Sequence, residues 1–493
     1  MGVVRRHRNL LFVALLFATA CNGCECDPDG LNTVPPQDEQ TDEFCQRPAS
    51  KVDILWVIDN SGSMTAEQSK LADRFSAFFK QLQVSLVDYH IGVVTTSMRE
   101  GFMEDVNGIL RRYSGPSVQG CDGCRFLTKD VPCNVDNMDR RDGESSTDYE
   151  TRLVADCPAV LVFRKLINTG NTGVAFETGL EASAVALGAV IDAETGQYKQ
   201  GPNGLDIPDQ NANFIRRRTG TCDPAPRQAG LDCSQQEGTN CAEPSLYVVW
   251  VSDEQDGSPG LPRYYYRVLE GLKGAGNEGK VSAAAITGWP ANPVVPMDRA
   301  CDILQRSWDN DPNNDQELPA LQAILNQTDG ANPACRDTTD QDMGTNFAVV
   351  GNRYVEVVCR TGGQLANICS ENYSEALDKL GADAAGLARK YTLSKWDDMD
   401  WGDDERPLTN DDPNLNCDGN PELTPDSDKG LCVRATPLGG NEEVLVTRDN
   451  ALGYRLEPST KSIRFDGSFI PKPGSKISIR YKLLLPEQQA AQN

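Results

Sequence analysis

The residues with most chemical promise are Asp59-Asn60-Ser61-Gly62-Ser63-Met64, placed directly after an apolar run. The Asp59 carboxylate and the Ser61 and Ser63 hydroxyls fall at alternate positions, so a tight turn lets three short side chains converge on one point. Hard oxygens of this kind suit Mg²⁺, which accepts them and keeps several waters. Gly62 gives such a turn its freedom to bend. The same residue types also suit a plain helix entry, since Asp, Asn and Ser are preferred there and Thr65 with Gln68 could close a capping box. Local sequence leaves both readings open. A third reading, a serine hydrolase acting through Ser61 or Ser63, is poorly supplied. The chain holds only two His, His7 and His90, and has no G-x-S-x-G elbow. The expectation is binding rather than catalysis, with no enzyme activity.

The elements needed to hold Asp59 at an edge are legible around it. Val52, Ile54, Leu55, Trp56, Val57 and Ile58 form a nearly continuous apolar run, the pattern of a parallel strand buried on both faces. Leu71, Phe75, Phe78, Phe79 and Leu82 recur at helical spacing across 65–83, and 89–96 is strand-like again. The alternation resumes with a helix over 173–190, a strand over 246–252, a helix over 263–273, a strand over 280–287 and a helix over 374–390. This predicts an α/β fold with a doubly wound, mainly parallel sheet, in which ligands bind outside the carboxyl ends of the strands. Polar stretches at 98–158, 191–245 and 289–352 exceed ordinary loop lengths and read as insertions.

The amino-terminal residues have the character of an export signal. Arg5, Arg6 and Arg8 precede a short apolar segment, too short to span a bilayer, and Leu16-Phe17-Ala18-Thr19-Ala20-Cys21 resembles a bacterial lipobox with Cys21 as the lipidated residue. Seventeen Cys is an odd number. Assigning Cys21 to lipid leaves an even set that can pair fully in an oxidising compartment and staple the insertions. Cys121-Asp122-Gly123-Cys124 has the spacing of a zinc knuckle or redox motif, but in an exported chain a disulfide is the expectation. The formal charge of −25 disfavours nucleic acid as a partner and leaves hard cations and basic partners open.

The whole string from Val52 to Met64 resembles the start of the metal-ion-dependent adhesion site of von Willebrand factor type A domains, D-x-S-x-S at the end of a first strand. The resemblance continues in order. His90-Ile91-Gly92-Val93-Val94 is similar to the family's second strand, and the segment from Thr172-Gly173 to Leu180-Glu181-Ala182 to the helix after its metal-site threonine. Tyr247 to Glu254 is similar to its fourth strand, ending in a further metal-site Asp. It covers roughly 51–395, and within the family the chain looks most like exported bacterial lipoproteins whose fourth strand ends in Ser-Asp-Glu. The resemblance implies that Asp59, Ser61, Ser63 and Asp253 hold Mg²⁺, or Mn²⁺ or Ca²⁺, directly or through water. The family's Gly-Gly-Thr is replaced by Asn168-Thr169-Gly170-Asn171-Thr172-Gly173, so the threonine ligand is assigned to Thr172, with Thr169 the alternative or no threonine at all.

The partner implied is a protein presenting Asp or Glu to the ion. The expected organisation is a signal peptide at 1–20, a tether at 21–50, the α/β domain with its disulfide-bearing insertions at 51–395, an acidic linker at 396–440 and a small β module at 441–493. Residues 396–430 hold twelve acidic side chains against Arg406 and Lys429. They read as a solvated spacer, with Ca²⁺ binding clamped by Cys417 and Cys432 as the alternative. Asp309 to Glu317 imitates the front of an EF-hand loop but has Asn314 where Gly is needed and Ala320 where the bidentate Glu belongs, so a solvated loop is expected. His90 is expected to pack rather than to bind. The function so implied is cation-dependent ligand binding in adhesion or envelope assembly, on a lipid-anchored protein of the cell envelope. Asn22 after the lipid site resembles outer-membrane sorting. The competing expectation is a structural envelope lipoprotein with a vestigial metal site.

Overall fold

Burial on both faces decides how the apolar run folds, and it becomes the centre of a sheet. The computed structural model describes residues 39–45, 51–98, 107–173, 177–189, 208–216, 244–273, 280–308, 317–327, 334–336, 347–386, 390–396, 399–400, 431–437, 443–446, 453–457, 461–465, 471 and 475–483. In chain order the first half holds β1 (Glu39–Cys45), β2 (Lys51–Ile58), α1 (Thr65–Val84), β3 (Asp88–Thr95), β4 (Phe126–Thr128), α2 (Ser146–Asp156), α3 (Pro158–Ile167), α4 (Gly179–Ala186), β5 (Ser245–Val251), α5 (Pro262–Gly271) and β6 (Val281–Thr287). There follow α6 (Ala300–Trp308), α7 (Leu318–Leu325), β7 (Cys335–Arg336), β8 (Phe347–Ala348), α8 (Asn352–Arg360), β9 (Gln364–Asn367) and α9 (Ser374–Ala384). The last elements are β10 (Lys390–Thr392), β11 (Leu431–Thr436), β12 (Val444–Val446), β13 (Tyr454–Glu457), β14 (Ser462–Phe465) and β15 (Lys476–Lys482).

The main sheet has the order β4-β3-β2-β5-β6-β9, all parallel except β4 at the edge. Alternate side chains of β2 enter two cores. Val52, Ile54, Trp56 and Ile58 pack with Leu71, Phe75, Phe78 and Leu82 of α1, Phe163 of α3 and Leu377 of α9. Leu55 and Val57 face the other way, toward Leu180 of α4, Val268 of α5 and Tyr354 of α8. Helices therefore cover both faces, which is why a polar/apolar alternation is missing from β2. Trp56 lies 5.1 Å from Phe78 and 5.4 Å from Phe163 between ring centroids, both edge-on, an arrangement worth on the order of 0.5–1.5 kcal/mol per pair beyond burial.

The insertions contain structure that the sequence reading left out. The 98–158 stretch contributes β4 and α2 and is stapled by Cys121–Cys124 and Cys133–Cys157. The C-x-x-C pair is thus a disulfide. Helix α3 was missed because Pro158–Ile167 is apolar nearly all round and carries no helical stripe to read. The 289–352 stretch builds α6 and α7 around a small core of Trp289, Ile303, Leu321 and Ile324, tied to α8 by Cys301–Cys359, while Cys335–Cys369 joins β7 to the residues after β9. Cys432 is also disulfide-bonded. The helix expected over 173–190 is shorter, Gly179–Ala186, and that expected over 374–390 ends at Ala384.

A second, small β module draws on both ends of the described chain. Its sheets have the orders β1-β15-β11-β12 and β10-β14-β13, around Tyr391, Trp396, Val433, Tyr454, Phe465, Ile477 and Tyr481. Residues 39–45, expected within the tether, are therefore a strand paired antiparallel with β15 from Glu39↔Lys482 to Cys45↔Lys476. Leu431–Thr436, expected within the acidic linker, is β11 of the same sheet, and β10, expected in the α/β domain, pairs with β14. Local composition could not reveal β1, whose side chains are mostly polar. Asp42 anchors it: its carboxylate accepts Ser394 N–H at 2.7 Å, Ser394 Oγ at 2.6 Å and Tyr481 Oη at 2.9 Å. The signal peptide, Cys21, the EF-hand-like loop at 309–316 and the acidic stretch at 401–430 lie outside the described residues. Among the described residues no helix is long and apolar enough to cross a membrane.

Candidate functional site

Three strands end side by side at the edge where Asp59 lies. Ile58 is in register with Thr95 on one side and Val251 on the other, and the chain runs on into Asp59, Thr96 and Ser252. Asp59 N–H donates to Val251 O at 2.9 Å, and Thr96 N–H to Ile58 O at 3.2 Å, so the ladder extends past the strands and fixes the Asp59 backbone. The side chain is fully buried. Its Oδ1 accepts Ser61 N–H at 2.8 Å and its Oδ2 accepts Ser252 Oγ at 2.7 Å. The Ser61 and Ser63 hydroxyls are 3.1 Å apart, and Ser63 in turn hydrogen-bonds Asp253. Asp59, Ser61, Ser63 and Asp253 thus form one hydrogen-bonded cluster, in which the first three come from one turn and Asp253 from the end of β5.

The cluster is rich in buried acid. Burial raises the Asp59 pKa against the lowering effect of its bonds from Ser252 and Ser61. Burial, then the neighbouring Asp59 carboxylate, pushes Asp253 up to about 8. Glu254 is raised by burial and by Asp59 as well. Asp253 Oδ1 is buried and has no hydrogen-bond partner among the described residues.

The 168–173 loop lies against this turn. Gly173 N–H donates to Asn60 O at 2.8 Å, and a Cβ on Gly173 would stand 2.6 Å from Asn60, so the approach demands glycine. Gln68 joins three segments: its Nε2 donates to Asp59 O at 2.9 Å and to Gly170 O at 3.0 Å, and its Oε1 accepts Thr169 N–H at 3.2 Å. Gln68 makes these ties instead of the capping box it could have closed with Thr65, and no side chain caps α1. Thr172 is exposed on the loop, whereas Thr169 Oγ1 is buried without a partner among the described residues.

Two residues of the site escaped the sequence reading. Ser252, which holds the Asp59 carboxylate, was visible only as the residue before Asp253. Glu177 had no signal beyond being an acid near a helix start, yet it is 1% exposed. Its Oε2 accepts the Thr96 hydroxyl, and its carbonyl accepts Gly257 N–H at 2.6 Å. Burial, then Asp59, pushes its pKa up to about 9.

Asp256 braces the same rim. Its Oδ1 accepts Leu180 N–H at 3.1 Å in the first turn of α4, and its Oδ2 accepts Arg353 Nε at 2.8 Å. His90 lies far from all this. Its register partner on β2 is Asp53, six residues before Asp59 and so about 20 Å away along an extended strand. There its Nδ1 is 2.8 Å from Phe214 O and its ring is 4.7 Å from that of Phe126.

Among the described residues no group of three or more His, Cys, Asp and Glu side chains is placed to hold a metal ion. The cluster differs in kind, joining carboxylates to hydroxyls. All its donors are hard oxygens, and the buried Asp253 Oδ1 wants a positive or hydrogen-donating neighbour. This donor set fits a hydrated hard cation, for which Asp59, Ser61, Ser63 and Asp253 would be the ligands.

No protein-family profile matches the sequence, and no curated protein matches it. Among solved structures the chain is similar to a von Willebrand factor type A protein from Catenulispora acidiphila, at 8% identity over 91% of this chain and 65% of that one, with a TM-score of 0.28. It is similar also to the pilus adhesin SpaC from Lactobacillus rhamnosus GG, at 8% identity over 91% of this chain and 41% of that one, TM-score 0.26. A third is the type V pili tip protein Mfa5 from Porphyromonas gingivalis, at 10% identity over 94% and 68%, TM-score 0.20. The chain thus spans less than two thirds of the length of the first two. At these TM-scores the likenesses carry no weight for function.

Proposed function

We propose that the chain is a divalent-cation-dependent binding protein of the von Willebrand factor A type, with a doubly wound domain and an adhesion-type metal site. In this reading it is carried at the cell envelope by a lipid on Cys21 and serves adhesion or envelope assembly. The observation that supports it most is the hydrogen-bonded set Asp59, Ser61, Ser63 and Asp253 at the carboxyl ends of β2 and β5, with Asp253 Oδ1 buried and unsatisfied among the described residues. A bound Mg²⁺ would offer an open position to an Asp or Glu carboxylate of a protein partner. The chain's own residues prepare that position. Ser252 orients Asp59, Gln68 and Gly173 hold the 168–173 loop against the turn, and the Asp256–Arg353 pair fixes the rim.

Catalysis is not part of this reading. A serine hydrolase would need a base beside Ser61 or Ser63, and His90 belongs to the opposite end of the sheet. The test is binding of the full chain to an array of Asp- and Glu-bearing peptides with Mg²⁺, with chelator, and with Asp59→Ala. Binding that requires Mg²⁺ and Asp59 agrees with the proposal; binding indifferent to both contradicts it. Absence of any binding would favour a structural envelope lipoprotein with a vestigial site.

A further inference from the structure

Glu177 occupies a position that the D-x-S-x-S resemblance does not assign. Its carboxylate is held by Thr96, the residue after β3, and its carbonyl by Gly257, in the segment after β5. Those strands flank β2 on either side, so Glu177 spans the carboxyl end of β2, where Asp59 begins the turn. The neighbouring Thr178 reinforces this, with both its N–H and its Oγ1 donating to Thr96 O, at 3.1 and 2.9 Å. The side chain is 1% exposed, and its Oε1 has no hydrogen-bond partner among the described residues. An unsatisfied buried carboxylate oxygen is costly, and such a group calls for a donor.

Resting on the adhesion-site reading, we propose that Glu177 is a further anionic member of the metal site, its free Oε1 accepting a hydrogen bond from a water of a hydrated Mg²⁺. The water-mediated role suits Mg²⁺, which gives up its water reluctantly. A bound cation would favour the ionised form of Glu177 that burial alone disfavours, and the chain then supplies more negative charge than Asp59 and Asp253 alone. The site then binds its cation without needing a partner's carboxylate.

The experiment is Mg²⁺ titration calorimetry on the full chain, for wild type, Glu177→Gln and Glu177→Asp, with circular dichroism melts to show that each is folded. Glu177→Gln keeps the shape and removes the charge, and is expected to weaken Mg²⁺ binding by about 10- to 100-fold, the usual consequence of losing an outer partner of a metal site. Glu177→Asp should retain more affinity than Glu177→Gln, because it keeps the charge. If wild type binds and Glu177→Gln binds equally well, the role of Glu177 is overturned while the adhesion-site reading stands. If Glu177→Asp is no better than Glu177→Gln, charge is not what the residue contributes, and the proposal is likewise overturned. If wild type binds no Mg²⁺ at all, the underlying reading fails and the role of Glu177 fails with it.

Discussion

Ser252→Ala tests whether the Asp59 carboxylate is held ready for a cation or merely buried near one. Ser252 is 1% exposed, and its hydroxyl donates to Asp59 Oδ2 at 2.7 Å while accepting Glu254 N–H at 3.1 Å. A hydrogen bond to a charged acceptor contributes roughly 1.5–3 kcal/mol. At about 1.4 kcal/mol per tenfold, losing it should weaken Mg²⁺ binding by about 10- to 100-fold, since an unrestrained carboxylate must be re-ordered on binding. The fold should survive. Only one oxygen is removed, β2 and β5 remain paired, and the melting temperature should drop by a few degrees. Calorimetric titration of Mg²⁺ into the full chain, beside a thermal melt followed by circular dichroism, reads both quantities. Affinity unchanged within about twofold would refute the reasoning, because Asp59 would then need no orientation by its neighbour.

Other perturbations have equally definite outcomes. Asp42→Ala should destabilise the β module by roughly 1.5–3 kcal/mol, because Ser394 and Tyr481 lose their shared acceptor, while Mg²⁺ affinity stays at the wild-type level; denaturant melts and calorimetry check the two halves. Reduction of Cys301–Cys359 and Cys335–Cys369 should cost about 2–4 kcal/mol each and open the region of α6 and α7 to limited proteolysis before the main sheet. Cys21→Ala should abolish incorporation of a labelled fatty acid, and label retained by that variant would contradict the anchor.

The legible part of the molecule was what short-range pattern can encode. The apolar run of β2, the Phe-rich stripe of α1 and the turn from Asp59 to Met64 are contiguous in sequence, and each residue's burial follows from its own neighbours. The grouping of Asp59, Ser61 and Ser63 was legible for the same reason, whereas Asp253, far away in the chain, entered only through the family resemblance. What stayed hidden depends on partners far away in the chain. Strand β1 exists because β15 pairs with it and because Asp42 meets Ser394 and Tyr481, none of which leaves a trace in residues 39–45. Glu177 belongs to the site through Thr96 and Gly257, and reads locally as an ordinary acid near a helix. Helix α3 was hidden for another reason, since a segment buried all round shows no period.

The central claim is that the turn after β2 holds a divalent cation, and Asp59 is the residue on which it rests. Mg²⁺ titration of the full chain, wild type against Asp59→Ala, tests it most directly, with circular dichroism confirming that both are folded. The account predicts saturable binding by wild type and none by Asp59→Ala, whose fold persists because the residue lies past the end of its strand. Equal affinity in the two proteins, or no binding by folded wild type, would contradict it.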